Sequence, residues 1–168
     1  MSFCFGVSRA RKSKSAKHTM DGQDSTDYCI FCDIARGATS TSILFSDEKV
    51  VAFPDINPSA FRHYLVIPVE HVPTVNSLEK KPEHYELVNH MLKVGEELLN
   101  RDAPNSVEHR FGFHQPPFNS INHLHLHCLA LPFTPAWKQV KYTPLGRLGF
   151  IGANKVLEKL NPRPTLPS

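Results

Sequence analysis

A short segment near the end of the chain alternates three histidines with apolar residues, running His-Leu-His-Leu-His-Cys-Leu from His123 to Leu129. Alternate residues of a β-strand share one face, so on a strand His123, His125 and His127 project together while the leucines between them enter the core. The solvent-exposed face of a strand needs only polar residues of any type, so packing does not explain why histidine occurs there three times. The pattern predicts a cleft that holds three titratable imidazoles.

Imidazole can do two kinds of chemistry in such a cleft, and the spacing alone leaves both open. Neutral imidazole is a frequent ligand of transition metals, and alternate histidines on a strand can chelate one. A ring nitrogen is also a nucleophile toward phosphorus or carbon. Asn119 and Ser120 precede the histidines in a proline-containing loop, and amide, hydroxyl and backbone N–H groups together suit a phosphate. This loop favours nucleophilic catalysis.

The elements that must position these residues are strands, then a helix, then strands again. Apolar patterning predicts a hairpin followed by three more strands, at 42–53, 63–67, 109–114 and 123–131. After Pro82, apolar residues recur at helical spacing and predict the longest helix, at Leu87, Met91, Val94 and Leu98. This order predicts an α+β fold, with an antiparallel sheet covered by the long helix on one face.

Length and composition divide the chain into a folded domain with two flanking segments. A chain of 168 residues can bury a core as one domain. Polar composition predicts a flexible basic arm over residues 1–26, followed by the folded domain over 27–135. Residues 136–168 are predicted to form an extension with one short helix, at 148–160, through Phe150, Ile151, Val156, Leu157 and Leu160.

Charge and hydropathy limit the kinds of partner that we expect for this chain. Residues 1–20 carry five basic and no acidic side chains, which leaves 14 basic and 16 acidic side chains in the rest of the chain. Such a body lacks the basic footprint that grips nucleic acid phosphates, so nucleic acid is not an expected partner. No run approaches the ~18 apolar residues that span a bilayer, so we expect no membrane association and a location in the cytoplasm and nucleus.

Four segments, in order, resemble the histidine triad (HIT) family: Tyr-Cys-Ile-Phe-Cys-Asp-Ile at 28–34, Val-Ala-Phe-Pro-Asp-Ile-Asn-Pro at 51–58, His-Tyr-Leu-Val-Ile-Pro at 63–68, and the histidine run at 123–129. The resemblance covers about residues 28–135 and is closest to the nucleotide-binding branch of that family. It implies a HIT-like sheet, a homodimer, and hydrolysis of purine nucleoside phosphoramidates, aminoacyl and lysyl adducts of AMP included, through a nucleotidyl-histidine intermediate.

The resemblance also assigns roles to individual residues. It makes His125 the nucleophile, with His127 and His63 orienting and polarising the site and His123 supporting it from behind. The nucleotide, a purine mononucleotide or phosphoramidate, would be held by Ser120, Asn119 and His114 near the phosphate, by Asp55 at the ribose, and by Ile56, Phe31 and Ile34 beside the purine. From local sequence alone Asp55 could equally be a turn-capping acid between two prolines.

Several alternatives remain at this point. The chain could remove adenylate from DNA ends, hydrolyse dinucleoside polyphosphates, or bind nucleotides as a catalytically weak interaction protein. No cofactor is expected in catalysis. The pair Cys29 and Cys32 could join His71 and His123 in a structural zinc site like that of some relatives; we favour instead a pair of small buried thiols with no metal.

Overall fold

The computed structural model describes residues 28–145 and 148–162. The arm predicted for residues 1–26 lies outside them. The described residues form seven strands, β1 Phe45–Ser46, β2 Val50–Pro54, β3 Ala60–Pro68, β4 His109–His114, β5 Leu126–Phe133, β6 Pro144–Leu145 and β7 Leu148–Gly152. They also form three α-helices, α1 Ile30–Ala35, α2 Pro82–Asp102 and α3 Ala153–Leu160, and two 3-10 helices, Val75–Ser77 and Ala136–Tyr142.

The strands form one antiparallel sheet in the order β1-β2-β3-β5-β4-β7-β6. The hairpin prediction is confirmed by the β1–β2 pair, and the predicted strand at 109–114 is β4. The long central pair β3–β5 brings His63 opposite Leu129 and Leu65 opposite His127. The α+β prediction is confirmed.

The long helix covers one face of this sheet, as the apolar spacing predicts. Its buried side chains include Met91, Val94 and Leu98, and they pack in one core cluster with Leu124 and Leu126. Pro82 opens the helix, where the missing N–H of proline costs nothing. The leucines between the histidines therefore face α2, which leaves the opposite face of the sheet for the histidines.

Two smaller apolar clusters lie apart from this main core. One contains Phe31 and Ile34 of α1 together with Val51, Phe53, Leu65 and Ile67. The other contains Ala60, Leu129, Leu131, Tyr142 and Phe150. Rings of both clusters contact the histidines: Phe31 packs against His125, and Tyr142 against His127. The histidine row therefore lies between two apolar supports.

Two predictions about element bounds are wrong, and the first concerns the strand of the histidine run. The last central strand begins at Leu126 and not at His123, because the N–H of Leu124 donates to the carbonyl of Val72 in a loop, at 2.6 Å, instead of joining the sheet ladder. His123 and His125 thus lie on an irregular segment that leads into β5.

The extension is also more structured than predicted. The single helix expected over 148–160 divides into β7 and α3, because the edge of β4 offers backbone groups that a strand can pair. Gly112 permits the close approach, since a Cβ there would lie 2.4 Å from the carbonyl oxygen of Ile151. None of the described helices is long and apolar enough to cross a membrane.

Candidate active site

Three of the predicted catalytic histidines meet on the sheet face opposite α2. His63 on β3, His127 on β5 and His125 just before β5 are 3%, 6% and 6% exposed. The ring centroids of His125 and His127 are 5.0 Å apart, and those of His63 and His127 are 5.2 Å apart. The prediction that alternate histidines gather in one place is confirmed for these two members of the run.

A backbone carbonyl determines which nitrogen of His125 is free. Its Nδ1 lies 2.6 Å from the carbonyl oxygen of His123, and a carbonyl can only accept, so Nδ1 carries the proton. Burial, the largest cause, lowers the pKa of His125, which keeps the ring neutral near pH 7. In a neutral ring with its proton on Nδ1, Nε2 holds a lone pair, which is what a nucleophile requires.

The buried His63 and His127 and the half-buried His114 form a chain of hydrogen bonds whose direction is fixed at both ends. At one end the N–H of Ser59 donates to Nδ1 of His63, at 3.2 Å. At the other end Nε2 of His114 lies 2.9 Å from the carbonyl oxygen of Lys141. Since an amide can only donate and a carbonyl can only accept, His63 carries its proton on Nε2, and His114 also carries its proton on Nε2.

His127 connects the two ends. Nε2 of His63 donates to Nδ1 of His127, at 2.9 Å, and Nε2 of His127 donates to Nδ1 of His114, also at 2.9 Å. Burial is the largest cause that lowers the pKa of each ring, to about 4 for His63. The three rings are therefore neutral near pH 7, and each donates from Nε2.

The predicted phosphate loop borders His125, but its two named residues differ in position. Asn119 lines a cavity of about 10 Å³ together with His114 and His125. Ser120 is exposed, so its contact with a phosphate stays a prediction. This volume is that of a single water molecule, so a nucleoside has to lie outside the cavity.

The predicted ribose residue both caps a turn and reaches the site. One carboxylate oxygen of Asp55 accepts the N–H of Asn57, at 2.7 Å, and the other lies 3.5 Å from Nε2 of His63. The turn-capping interpretation of Asp55 therefore has support, and its ribose role stays a prediction. Ile56 is fully exposed at the tip of the same loop.

The other predicted purine contacts are buried. Phe31 is edge-on to His125, with centroids 5.3 Å apart, and Ile34 lies in the cluster beneath α1. A purine that touches Ile34 would have to displace part of that cluster, whereas Ile56 is open to a ligand. The roles of these residues in binding stay predictions.

The structure adds site residues that the sequence did not indicate. Lys138 is buried, and its ammonium group donates to the Asn57 side-chain oxygen at 2.9 Å and to the Pro58 carbonyl at 2.8 Å. Tyr142 donates to Ser59 and packs against His63 and His127. Both belong to a segment without apolar periodicity, so no pattern could have marked them.

A second cluster forms where α1 meets the start of the histidine run. Nδ1 of His123 lies 3.4 Å from the Cys29 sulfur and 3.5 Å from the Cys32 sulfur, and Nδ1 of His71 lies 3.2 Å from the Cys32 sulfur. The four ligand atoms all lie within 4.8 Å of one another. Nε2 of His123 donates to the Pro68 carbonyl at 3.0 Å, which leaves Nδ1 unprotonated toward the thiols.

This donor set fits a zinc ion. Two sulfurs and two imidazole nitrogens are the ligands of closed tetrahedral zinc sites, and their spacing here agrees with ligands about 2.0–2.3 Å from a shared ion. Cys29 and Cys32 are only half-buried, so the expectation of two buried thiols is not met. With four protein ligands, such an ion would be structural and would leave no position open for substrate.

An α+β sheet that presents a neutral histidine with a free Nε2 beside further imidazoles fits a class of enzyme that uses a ring nitrogen as a nucleophile. The comparisons agree with that class. A family model described as "Scavenger mRNA decapping enzyme C-term binding" matches residues 28–143. The chain belongs to the histidine triad superfamily and is a nucleotide hydrolase of that family.

Individual relatives indicate to which branch of the superfamily this chain is similar. The chain is 63% identical over 135 residues to "Bifunctional adenosine 5'-phosphosulfate phosphorylase/adenylylsulfatase HINT4" of Arabidopsis thaliana, covering 80% of this chain and 92% of that protein. It is 40% identical to "Adenosine 5'-monophosphoramidase HINT3" of Xenopus tropicalis, covering 83% of each. A histidine triad protein from Clostridium difficile has a similar structure, with a TM-score of 0.57 and 28% identity over 66% of this chain and 95% of that one.

Proposed function

We propose that this enzyme cleaves adenosine 5'-phosphosulfate by transferring AMP to His125 and then to water or inorganic phosphate. The observation that carries this proposal is the hydrogen bond from Nδ1 of His125 to the His123 carbonyl, at 2.6 Å. Because the proton is on Nδ1, Nε2 keeps a lone pair that can attack phosphorus. The two relatives named above have adenosine 5'-phosphate derivatives in their names, which supports AMP as the transferred group.

The proposed reaction proceeds in two displacements at the same phosphorus. Nε2 of His125 forms a bond to the α-phosphorus, and the bond from phosphorus to the sulfate oxygen breaks, with the electron pair leaving on sulfate. Water then attacks the phosphorus, loses a proton and releases AMP, which restores the lone pair of His125. Inorganic phosphate in place of water gives ADP. The intermediate divides one difficult step into two easier ones.

The protonation of the site favours sulfate over an amine as the leaving group. An amine leaves readily only when it receives a proton, whereas sulfate leaves as a stable anion. His63, His127 and His114 are all neutral N–H donors, and a neutral imidazole is a weak acid. Each of these N–H groups is already donated within that chain of hydrogen bonds, so none of the three rings supplies a proton to a departing amine. The phosphoramidate substrate that the sequence predicts is therefore our second candidate, supported by the 40% identical relative.

A comparison of substrates tests this proposal. Purified enzyme is assayed side by side with adenosine 5'-phosphosulfate, adenosine 5'-phosphoramidate, a dinucleoside polyphosphate and 5'-adenylated DNA. We expect kcat/KM for the phosphosulfate to exceed that for the phosphoramidate by about 10-fold or more, since only the amine needs a proton. The reverse ranking would assign the enzyme to phosphoramidates, and a preference for either of the last two substrates would favour the corresponding alternative.

Rapid quenching tests the intermediate independently of substrate rank. The active enzyme is mixed with substrate labelled in the adenosine, quenched in alkali that preserves phosphorus–nitrogen bonds, and digested for peptide mass spectrometry. We expect AMP on His125. Turnover without any adduct at that ring would contradict covalent transfer, and binding without turnover of any substrate would favour the interaction-protein alternative.

We also propose a homodimer, as the resemblance implies, and a location in the cytoplasm and nucleus. The side of β4 away from β5 is paired with β7 of the same chain. A dimer through that edge would have to displace β7, so the exposed surface of α2 is the simpler contact. Light scattering at several concentrations tests the dimer, and imaging of the full chain tests the location.

A further inference from the structure

We propose that a cavity on the helix-covered side of the sheet binds a small carboxylate ligand with a short apolar body. The cavity has a volume of about 230 Å³ and lies where the 3-10 helix Val75–Ser77, the end of β4, β7 and α3 meet. None of the described residues that line it is a histidine. The site is separate from the chemistry at His125 and does not depend on the proposed function.

The wall of this cavity is mostly apolar and continues the main core. Ile151 of β7 and Val156 and Leu160 of α3 are buried members of the cluster that α2 covers, and Val75 and Leu78 pack against that cluster. The leucines of the histidine run belong to the same cluster, so the cavity lies on the side of the sheet opposite to the histidines. A wall of this kind favours a hydrocarbon or aromatic group, because binding removes apolar surface from water.

A buried amide without a partner lies in this wall. Gln115 directly follows β4, is 7% exposed and lines the cavity, and its Nε2 has no hydrogen-bond partner within residues 28–145 and 148–162. Its backbone is fully used, since the N–H donates to the Gly149 carbonyl at 2.8 Å and the carbonyl accepts the Phe118 N–H at 2.9 Å. The last torsion of glutamine is soft, so the amide can turn Nε2 toward the cavity. Since native proteins pair most buried donors, this amide indicates an acceptor that a ligand supplies.

The charged residues at the cavity determine the sign of that acceptor. Lys80 and Lys159 both line it and are exposed, and no acidic residue is among its described lining residues. Glu79, the acid next to Lys80, is paired instead with Lys81. Two ammonium groups without a nearby counter-charge attract an anion. A carboxylate can accept from an amide and from ammonium groups together, so it suits this end of the cavity.

The volume limits the ligand to a small molecule. At about 30 Å³ for each water-sized group, the cavity holds roughly eight such groups, whereas pockets for drug-sized ligands measure roughly 300–1,000 Å³. A nucleotide is therefore too large, and a carboxylate on a short hydrocarbon chain or a single ring fits. Hexanoate is a suitable probe, and 1-hexanol is its control because it has the same chain length without the charge.

Methyl NMR of the full chain, titrated with each probe, tests this proposal. We expect hexanoate to shift the methyl signals of Ile151, Val156 and Leu160, and to leave unchanged those of Val51 and Leu65 in the cluster beneath α1. Its Kd should be about 1 mM or below, as small ligands of this size allow. It should bind at least about 5-fold more tightly than 1-hexanol, and AMP should not displace it.

Several results of this titration would overturn the proposal. Equal affinity for the two probes would reject the carboxylate, and displacement by AMP would assign the cavity to the nucleotide site. A full chain that does not bind hexanoate would also overturn it, whether the residues after 162 or a second copy of the chain fill the cavity. Absence of AMP transfer would contradict the proposed function alone and would leave hexanoate binding as it is.

Three variants test the polar groups of the cavity. Gln115→Leu removes the unpaired donor and keeps a side chain of similar size, so the melting temperature without ligand should be equal or higher, while hexanoate affinity should fall about 10-fold. Lys159→Met should weaken hexanoate by about 2- to 5-fold and leave 1-hexanol unchanged. Lys155→Met, at an exposed lysine of the same helix outside the cavity lining, is the matched control and should change neither affinity.

The variants can also contradict the ligand site. A Gln115→Leu protein that melts several degrees lower and binds hexanoate normally would show that the amide serves the fold, and would overturn the proposal. Should Gln115→Leu fail to fold, the wild-type titration and Lys159→Met still decide the question. Equal hexanoate affinity in Lys159→Met and wild type would then reject the charged end of the site.

Discussion

Two clusters of imidazoles contact the same ring, Phe31, and they differ in what their free nitrogens face. His123 donates to the Pro68 carbonyl from Nε2 and turns Nδ1 toward two thiols. His125 donates to a carbonyl from Nδ1 and keeps Nε2 free. Phe31 separates them, at 5.8 Å from one ring and 5.3 Å from the other.

The comparison shows that histidine can serve two purposes. Which one it serves depends on which of its two ring nitrogens donates to a backbone carbonyl. In the cluster of Cys29, Cys32, His71 and His123, the lone pairs converge on one point, as metal ligands do. Around His125, hydrogen bonds use both nitrogens of His63, His127 and His114 and leave one lone pair at Nε2 of His125. The first arrangement stabilises a fold; the second is suited to making a bond.

Replacing the nucleophile of the second cluster should have the strongest consequence for activity. His125→Asn removes the nucleophilic nitrogen, and we expect turnover to fall by at least about 10⁴-fold. Because the ring lies opposite the main core, the melting temperature should change little. Steady-state kinetics, nucleotide binding and thermal unfolding measure the three quantities. A variant that loses melting temperature together with activity would show that His125 supports the fold.

The corresponding change in the first cluster should have the opposite signature. Cys29→Ser and Cys32→Ser each remove a proposed zinc ligand, and we expect the free energy of unfolding to fall by about 2 kcal/mol or more, roughly 4–8 °C in melting temperature. Activity at low temperature should persist. Elemental analysis should give one zinc per wild-type chain and less in the variants; wild-type protein free of zinc with the same stability would contradict the site.

A smaller effect should come from Lys138, whose ammonium group supports the loop of Asp55 and Ile56 through Asn57 and Pro58. Lys138→Met leaves the Asn57 and Pro58 oxygens without their donor, and hydrogen bonds to charged groups contribute about 1.5–3 kcal/mol. We expect KM for the nucleotide to rise about 5- to 10-fold, part of that energy, with kcat nearly unchanged. Lys155→Met, at an exposed lysine on α3, is the control. Equal changes in kcat and KM would place Lys138 in the chemistry instead.

The dependence of stability on pH should be the weakest of these effects. Burial lowers the pKa of His63 from 6.5 to about 4, so between these values the unfolded chain binds a proton that the folded protein does not. The contribution of the neutral His63 to the free energy of unfolding is therefore fully present above about pH 6.5 and is lost as the pH falls toward 4. The groups around His63 oppose each other: Asp55 raises its pKa, whereas His114, Lys138 and His125 lower it. His127 and Tyr142 also face the ring.

Denaturant unfolding at about pH 7 and about pH 5 measures this dependence, in a range where histidine titrates. His63→Gln should be less stable than wild type at the higher pH and should lose less stability on acidification. His109→Gln, at a half-buried histidine outside the cluster, should keep the wild-type pH dependence. A His63→Gln protein with the full wild-type dependence would show that another group carries it.

Much of the framework follows from the sequence by itself. Alternation in the histidine run places Leu124 and Leu126 in the core, because side chains of an extended chain point alternately to its two sides. The helical spacing after Pro82 gives α2 and its buried face for a similar reason. These are properties of neighbouring residues, so a local pattern contains them.

The use of each histidine, by contrast, depends on contacts between residues that are far apart in the sequence. The Pro68 carbonyl that sets the tautomer of His123 is 55 residues away in sequence. The Lys141 carbonyl at the end of the chain of hydrogen bonds is 27 residues from His114. Backbone carbonyls look the same at every position of a sequence, so no residue type announces which one a ring will meet. The sheet pairing that brings β7 to β4, and the 3-10 helix that carries Lys138 and Lys141, choose these partners through space.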